Sequence, residues 1–403
     1  MSAAKLSSSE SRAALSLAGI FGLRMFGLFM IYPVFALYAR QLPDATPSRV
    51  GLALGIYGLS QALFQMPLGI ASDRLGRKRV IAAGLVVFAL GSGMAGLAHT
   101  VAGIALGRFL QGVGAVGSAV LALAADLSRE QQRTKVMAVI GVTIGLAFGL
   151  ALVVGPLFDT WFGVPGMFWL TAGLAGVAIL LLYTAVPAPE ASPVHAETEA
   201  VPALLLGVLK HPELLRLDFG ILLQHAILTA TFLGVPLTLQ AAGVGGGAAW
   251  KLYLPVLAVS VAVMGPMIML AERSGWMRAM MLAAVAAMGL AQLGLMTPVG
   301  GLWLPALALS LFFAAFNFLE AALPSLITRL APRKARGTAM GVYSSAQFLG
   351  IFLGGVLGGM AQSRFGSAGA SGVSMVLAGL WLLCAWRTNM PGSRGRGPST
   401  QVR

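Results

Sequence analysis

Apolar runs of roughly 20 residues, each long enough to cross about 30 Å of hydrocarbon, recur along nearly the whole chain with short polar joints between them. A chain of that pattern has no means of coating itself for water. Of its 403 residues 58% are hydrophobic and 10% charged, too few polar side chains to cover a soluble body of that size, so the outer surface has to face lipid. The runs predict spans at 13–38, 49–70, 79–97, 101–125, 134–157, 164–186, 215–241, 249–271, 279–297, 301–328, 336–362 and 366–387. The expected fold class is therefore an all-α membrane protein of twelve transmembrane helices. Ser7-x-x-Glu10 reads as a capping box ahead of the first run, which is too long for a signal-peptide core and is taken as a retained helix. The single cysteine, Cys384, excludes an intrachain disulfide and a thiolate zinc site, and no metal or cofactor is expected.

The net charge of +14 is compatible with nucleic-acid binding or with membrane topology, and the positions of the basic residues decide for topology. Placing the N-terminus in the cytoplasm puts Lys5, Arg12, Arg74, Arg77, Lys78, Arg79, Arg129, Arg133, Lys135, Lys210 and Arg216 on one side. Arg273, Arg278, Arg329, Arg333, Lys334, Arg336, Arg387, Arg394, Arg396 and Arg403 join them. Only Arg40, Arg49, Lys251 and Arg364 fall on the other side, and Arg24 and Arg108 lie within spans. Both termini are then cytoplasmic, the span number is even, and a multi-pass protein of the plasma (inner) membrane with the bilayer, and no nucleic acid, as its partner is expected.

Between the sixth and seventh spans, residues 187–214 carry Pro187, Pro189, Pro193, Pro202 and Pro212 with acidic residues, a linker composition. The chain divides into a six-helix half at 1–186, a cytoplasmic linker at 187–214, a second half at 215–387 and a tail at 388–403. An internal repeat supports two pseudo-symmetric halves: Asp73-Arg74-Leu75-Gly76 aligns with Glu272-Arg273-Ser274-Gly275. At nearly the same offset, Arg133-Thr134-Lys135-Val136-Met137-Ala138-Val139 aligns with Arg336-Gly337-Thr338-Ala339-Met340-Gly341-Val342, each opening the fifth helix of its half.

Gly69-Ile70-Ala71-Ser72-Asp73-Arg74-Leu75-Gly76-Arg77-Lys78-Arg79 joins spans two and three. Glycines 69 and 76 permit close approach and a tight reversal, and Asp73 suits pairing with nearby arginines or with the N-terminus of another helix. This run closely resembles the G-x-x-x-D-R-x-G-R-K/R signature of the major facilitator superfamily. The resemblance implies a cytoplasmic latch in which the aspartate faces helix 11, with Gly69, Asp73, Arg74, Gly76, Arg77 and Asp126 as the gating set. Gly107-Arg108-Phe109-Leu110-Gln111-Gly112-Val113-Gly114-Ala115 resembles the second motif of that family, a buried arginine beside Q-G-x-G. An arginine satisfied by backbone carbonyls is the structural alternative for Arg108. Gly145, Gly149 and Gly155-Pro156 in helix 5 resemble the glycine-proline motif of the antiporters, although Leu157-Phe158 replaces the usual small residues and plain packing explains the stripe almost as well. Leu23-Arg24-Met25-Phe26-Gly27 and Ala339-Met340-Gly341-Val342-Tyr343-Ser344 complete a resemblance, over nearly the full chain, to the YajR-type branch of drug:proton antiporters. It implies the major facilitator fold. A small C-terminal soluble domain found in some relatives is absent from the pattern.

Ionisable residues at depth are Arg24, Arg108, His225 and Glu320, in spans 1, 4, 7 and 10, and the resemblance implies that these helices line a central cavity. Glu320 is the expected proton carrier, being the one carboxylate near mid-membrane; desolvation and a neighbouring arginine act on it in opposite directions. Arg24 is open to a second reading, a permanent pair with Glu320, and His225 to one as a neutral polar residue bonded within the bundle. Tyr32, Gln111, Gln224 and Asn317 complete the candidate proton-coupling and cavity set, with Tyr38, Gln61 and Gln65 as further hydrogen-bonding groups and Phe21, Phe312, Phe313 and Phe316 as apolar walls.

The leading expectation is a monomeric secondary transporter that exports a small lipophilic or amphipathic solute by alternating access, driven by the proton gradient. A proton symporter or facilitator of a small metabolite is the alternative on the same fold. A membrane-embedded enzyme or a receptor is the alternative of another class. No HExxH, GxSxG or P-loop pattern appears, so no catalytic residue is assigned.

Overall fold

Ser7 caps the first helix as its sequence requires: its hydroxyl accepts from the Glu10 amide at 3.2 Å while the Glu10 carboxylate accepts from the Ser7 amide at 2.8 Å. That helix opens a computed structural model that describes residues 6–187, 202–273, 275–296 and 301–387, and every element named below is a helix. The N-terminal half comprises α1 (Ser8–Phe29), α2 (Phe35–Ala39), α3 (Pro47–Leu75), α4 (Arg77–Leu97), α5 (Val101–Val113), α6 (Gly117–Asp126) and α7 (Arg133–Thr184). The C-terminal half comprises α9 (Pro212–Ala241), α10 (Trp250–Arg273), α11 (Met277–Met296), α12 (Trp303–Leu330), α13 (Arg336–Phe365) and α14 (Ser367–Trp386); the short α8 (Pro202–Leu209) precedes it.

Several boundaries depart from the sequence pattern for identifiable reasons. The first span unwinds after Phe29 around Pro33 and resumes as α2, because proline supplies no amide and crowds the preceding turn. The fourth span is broken at Gly114–Val116 into α5 and α6. Spans five and six run as one element, α7, which turns sharply at Gly163 with φ of 64°, a left-handed conformation that favours glycine. The seventh span begins at Pro212, three residues earlier than expected, since proline suits the first helical turn. Of the expected linker, 202–209 is helical and 188–201 lies outside the described residues, as does the tail at 388–403. Ten segments among the described residues are long and apolar enough to cross a membrane, and the segment at Glu130–Thr184 is long enough for two crossings. With the 29-residue α3 added, the count is consistent with twelve.

Side-chain contacts sort the helix ends into two faces. Arg12 donates to the carbonyls of Thr184 at 3.0 Å and Ala185 at 2.9 Å, Lys78 Nζ donates to the Val186 carbonyl at 2.6 Å, and Arg129 pairs with Glu10 at 2.8 Å. In the other half Arg278 donates to the Trp386 carbonyl and Arg329 pairs with Glu272 at 3.3 Å. These ends make up the basic face. On the opposite face, Asp44 caps α5 by accepting from the amides of Val101 at 2.7 Å and Ala102 at 3.1 Å. Those amides, Val101 first, hold its carboxyl below the usual carboxylate range.

The halves seal against each other through α3 and α13, nearer the opposite face, where α3 starts and α13 ends. Gly51, Gly55 and Gly58 meet the backbone of α13 directly: a Cβ on Gly51 would collide with the Gly355 carbonyl, and one on Gly55 would lie 2.9 Å from the Phe352 carbonyl oxygen. Ser48 and Ser363 hydroxyls close the same edge at 2.9 Å.

Candidate functional site

Glu320 sits near the middle of α12, yet its side chain is 39% exposed, so water reaches a carboxylate deep in an apolar helix. Helix α9 brings Gln224, whose Nε2 donates to Glu320 Oε2 at 3.1 Å and to the Phe316 carbonyl at 3.2 Å. Helix α13 brings Gln347, whose Nε2 donates to Glu320 Oε1 at 3.3 Å and lies 2.9 Å from His225 Nε2. His225 Nδ1 is 3.3 Å from the Ile221 carbonyl one turn back. That carbonyl can only accept, so the hydrogen belongs on Nδ1 and Nε2 accepts from Gln347, an assignment made from the hydrogen bonds. His225 Nε2 and Glu320 Oε2 are 3.9 Å apart. Three helices thus converge on one carboxylate with two amide donors and an imidazole.

Arg24 and Arg108 do not join this group. Each is 1% exposed and bonded inside the N-terminal half. Arg24 Nη2 donates to Gln61 Oε1 at 2.8 Å, Tyr57 Oη at 3.1 Å and the Gly114 carbonyl at 3.3 Å, and its guanidinium lies over the Phe88 ring at 5.0 Å. Gln61 continues to Gln65 at 2.8 Å. Arg108 donates to Gln111 at 3.1 Å and to the Leu54 carbonyl at 3.2 Å, and stacks over Tyr57; Gln111 in turn donates to Ser92 at 2.8 Å. Carbonyls, amides and ring faces satisfy these guanidiniums only in part: Arg24 Nε and Nη1 and Arg108 Nε have no hydrogen-bond partner among the described residues, and neither arginine meets a carboxylate. Among the described residues no ion pair joins Arg24 to Glu320. Asn317 donates to Ser260 at 3.1 Å within the C-terminal half. Tyr32 crosses between halves to set its ring edge-on to Phe232 at 5.5 Å.

An aromatic cluster backs the carboxylate. Phe316 lies 5.7 Å from the His225 ring and 6.2 Å from Phe148 of the other half, which also meets Phe313 at 6.1 Å and Phe29 at 5.0 Å. Phe312 is fully buried against Phe313 and Phe316, while Phe21 packs into the N-terminal core. A separate groove of about 720 Å³, lined by Leu90, Met94, Leu106 and Trp169 of α4, α5 and α7, holds no titratable side chain and is remote from this chemistry.

At the basic face Asp73 pairs with Arg77, which also holds Asp126 at 3.0 Å and Ser72 Oγ at 2.8 Å. The latch residues thus bond within their own half in this conformation. Gly76 takes φ of 94° between α3 and α4, and a Cβ on Gly69 would lie 3.0 Å from Ser118 Oγ. In helix 5, Gly155 is tight against Met30 and Pro156 approaches Gly247, but Gly145 has nothing within 4 Å and Gly149 meets only Leu257 of α10 at 4.0 Å. Sequence reasoning passed over Gln347, although Tyr343 and Gln347 are spaced one turn apart and signal a polar stripe on α13.

Fold and site together define a helical membrane transporter built from two helical halves around a buried polar centre. The chain belongs to the major facilitator superfamily, whose profile matches residues 17–318. It is 42% identical over 381 residues to the inner membrane transport protein YajR of Escherichia coli strain K12, covering 94% of this chain and 84% of that one. The multidrug resistance protein MdtL of Escherichia coli O81 (strain ED1a) is 32% identical over 166 residues, 39% of this chain and 42% of its own. Among solved structures, a bacterial homologue of the human lysosomal transporter Spinster, inward-facing and occupied, superposes with a TM-score of 0.75 at 16% identity, over 96% of this chain and 98% of that one. That last likeness is one of fold.

Proposed function

We propose that the chain is a proton-driven exporter of a small lipophilic or amphipathic solute, working as a monomer in the inner membrane with both termini in the cytoplasm. The observation that carries the reading is Glu320: a mid-membrane carboxylate open to water, held by two amide donors and faced by an imidazole. An ionised carboxylate only accepts, and here every donor points at it; a protonated one frees an O–H to give to Gln224 Oε1, which has no partner in this conformation. Two satisfiable protonation states at one group are what coupling to a proton gradient requires. Aromatic walls at Phe29, Phe148 and Phe316 favour a solute with apolar surface over a polyhydroxylated one.

The basic face, assigned to the cytoplasm by its charge, is the side away from the α3–α13 seal, so this conformation is the inward-open member of the cycle. In proteoliposomes with an imposed pH gradient, internal acidification is expected to drive uptake of a solute found by thermal-shift screening. Glu320→Gln removes titration while keeping size and hydrogen bonding, so gradient-driven transport is expected to vanish while solute exchange without a gradient persists. Full gradient-driven activity in that variant sinks the assignment and leaves His225 to be examined. Uptake driven by external acidification instead establishes the symport alternative.

A further inference from the structure

Among the described residues, the buried acid without a partner that the site above leaves unused is Asp218 on α9. Its residue is 5% exposed, and neither carboxylate oxygen has a hydrogen-bond partner or a cation among the described residues. Helix geometry puts it about 9 Å into α9 from Pro212 at the basic face, and about 10 Å short of His225. On the facing helix α13, Tyr343 is 3% exposed, its hydroxyl is likewise unpartnered, and it lies within electrostatic reach of both Asp218 and Glu320. One turn further along α13, Gln347 bonds Glu320 and His225. Several other charged or titratable groups on elements packed against α9 are occupied elsewhere, while Arg336 Nε of α13 is itself without a hydrogen-bond partner. Arg216 pairs with Glu213 at 2.5 Å, with Cys384 of α14 beside them; Arg329 of α12 pairs with Glu272, and Arg278 of α11 bonds the Trp386 carbonyl. Arg336 and Arg364 stand at the two ends of α13, and the sequence of α8 holds no ionisable residue.

Leaving an ionised carboxylate in such a place costs several kcal/mol, and a group in that position takes up a proton instead. We propose that Asp218 is a second proton-binding site of this transporter, lying between Glu320 and the basic face and occupied by a proton in the conformation described. The proton sits on a carboxylate oxygen, leaving a neutral carboxyl group within electrostatic reach of Tyr343. The transporter then carries two acids on its C-terminal half, Asp218 lying nearer the basic face than Glu320. The coupling role rests on the proton-coupled reading above; the protonation of Asp218 does not.

Infrared spectroscopy on the full chain in liposomes tests the protonation without any solute. In a Glu320→Gln, Asp159→Asn background, the carboxyl carbonyl stretch is recorded at neutral pH with unlabelled and with carboxyl-¹³C aspartate. Asp44 is held by amides and Asp126 by Arg77, and Asp73, whose carboxyl burial raises against the pull of Arg77, is removed from the same background by Asp73→Asn, so a protonated aspartate band that moves on labelling belongs to Asp218. The expected result is such a band, lost on adding Asp218→Asn and converted to carboxylate bands at high pH. Absence of any label-sensitive protonated band at neutral pH overturns the inference, as does a band that survives Asp218→Asn. If that last variant fails to fold, the isotope shift in the background chain decides by its presence or absence. Retained gradient-driven transport in Glu320→Gln bears on the first acid only, so the two ideas fail separately.

Discussion

Gln347 spends both hydrogens of one amide at the site, one towards His225 Nε2 and one on Glu320 Oε1. Replacing it with leucine keeps the volume and removes both donations. Hydrogen bonds to charged groups are worth about 1.5 to 3 kcal/mol, so Gln347→Leu is expected to slow gradient-driven transport roughly tenfold or more. Exchange without a gradient should change far less, and equal losses in both assays would mean that Gln347 acts through packing alone. Asp44 offers a residue-scale test of stability. Its carboxyl is held below the usual range by the Val101 amide, so its contribution is fully present above the unfolded value of about 3.8 and disappears as pH falls through the lower folded value. Asp44→Asn is therefore expected to lower the melting temperature at neutral pH and to matter progressively less below about pH 4. A deficit of the same size at neutral and at strongly acid pH would show that the charge contributes nothing.

Helix contacts carry the conformational choice. Gly51 touches the backbone of α13 with no room for a side chain, whereas Gly145, one turn from Gly149 and its neighbour Leu257, faces open space. A valine at Gly51 penalises the conformation described, and a leucine at Gly145 penalises only one in which α7 closes on α10 nearer the basic face. Each added clash of about 1.4 kcal/mol shifts the two populations tenfold, in opposite directions. Reactivity of single cysteines placed near each face, in a Cys384→Ser background, is expected to rise at the opposite face for Gly51→Val and at the basic face for Gly145→Leu. Identical accessibility in both variants would end this account. Gly145 and Gly149 were legible in the sequence as candidate packing positions, whereas Gly51 was not singled out. Which of them pack in a given conformation was not legible, because spacing along one helix says nothing of which partner helix lies alongside.

Across the whole molecule the two halves share a fold and differ in chemistry. The N-terminal half locks Arg24 and Arg108 into a network of amides, carbonyls and rings, and the C-terminal half holds a partly exposed acid at depth. Asp218 was passed over, but the all-helical membrane fold, a span count consistent with twelve and Glu320 as the carboxylate nearest mid-membrane could be read from hydropathy and residue position. That Arg24 turns inward to Tyr57 and Gln61 could not, since helical periodicity fixes relative angles along a helix and leaves its rotation in the bundle open. The latch shows the same limit. Its sequence implies an aspartate facing the eleventh span, and here Asp73 instead pairs with Arg77, which also holds Asp126. The two placements fit one cycle if Asp73 turns to the N-terminus of α13 when the basic face closes. A carboxylate at a helix N-terminus contributes about 0.3 to 2 kcal/mol, so Asp73→Asn should weaken the closed form by roughly two- to thirtyfold and leave the Arg77–Asp126 pair intact. The reporter is Ala62→Cys, on the turn of α3 whose carbonyl accepts from Ser345 of α13 at 3.5 Å. Its labelling by an impermeant maleimide from the basic face is expected to quicken in Asp73→Asn at unchanged protein amount. If the rate stays at the level of the parent chain, the loop anchors topology and takes no part in closing the transporter.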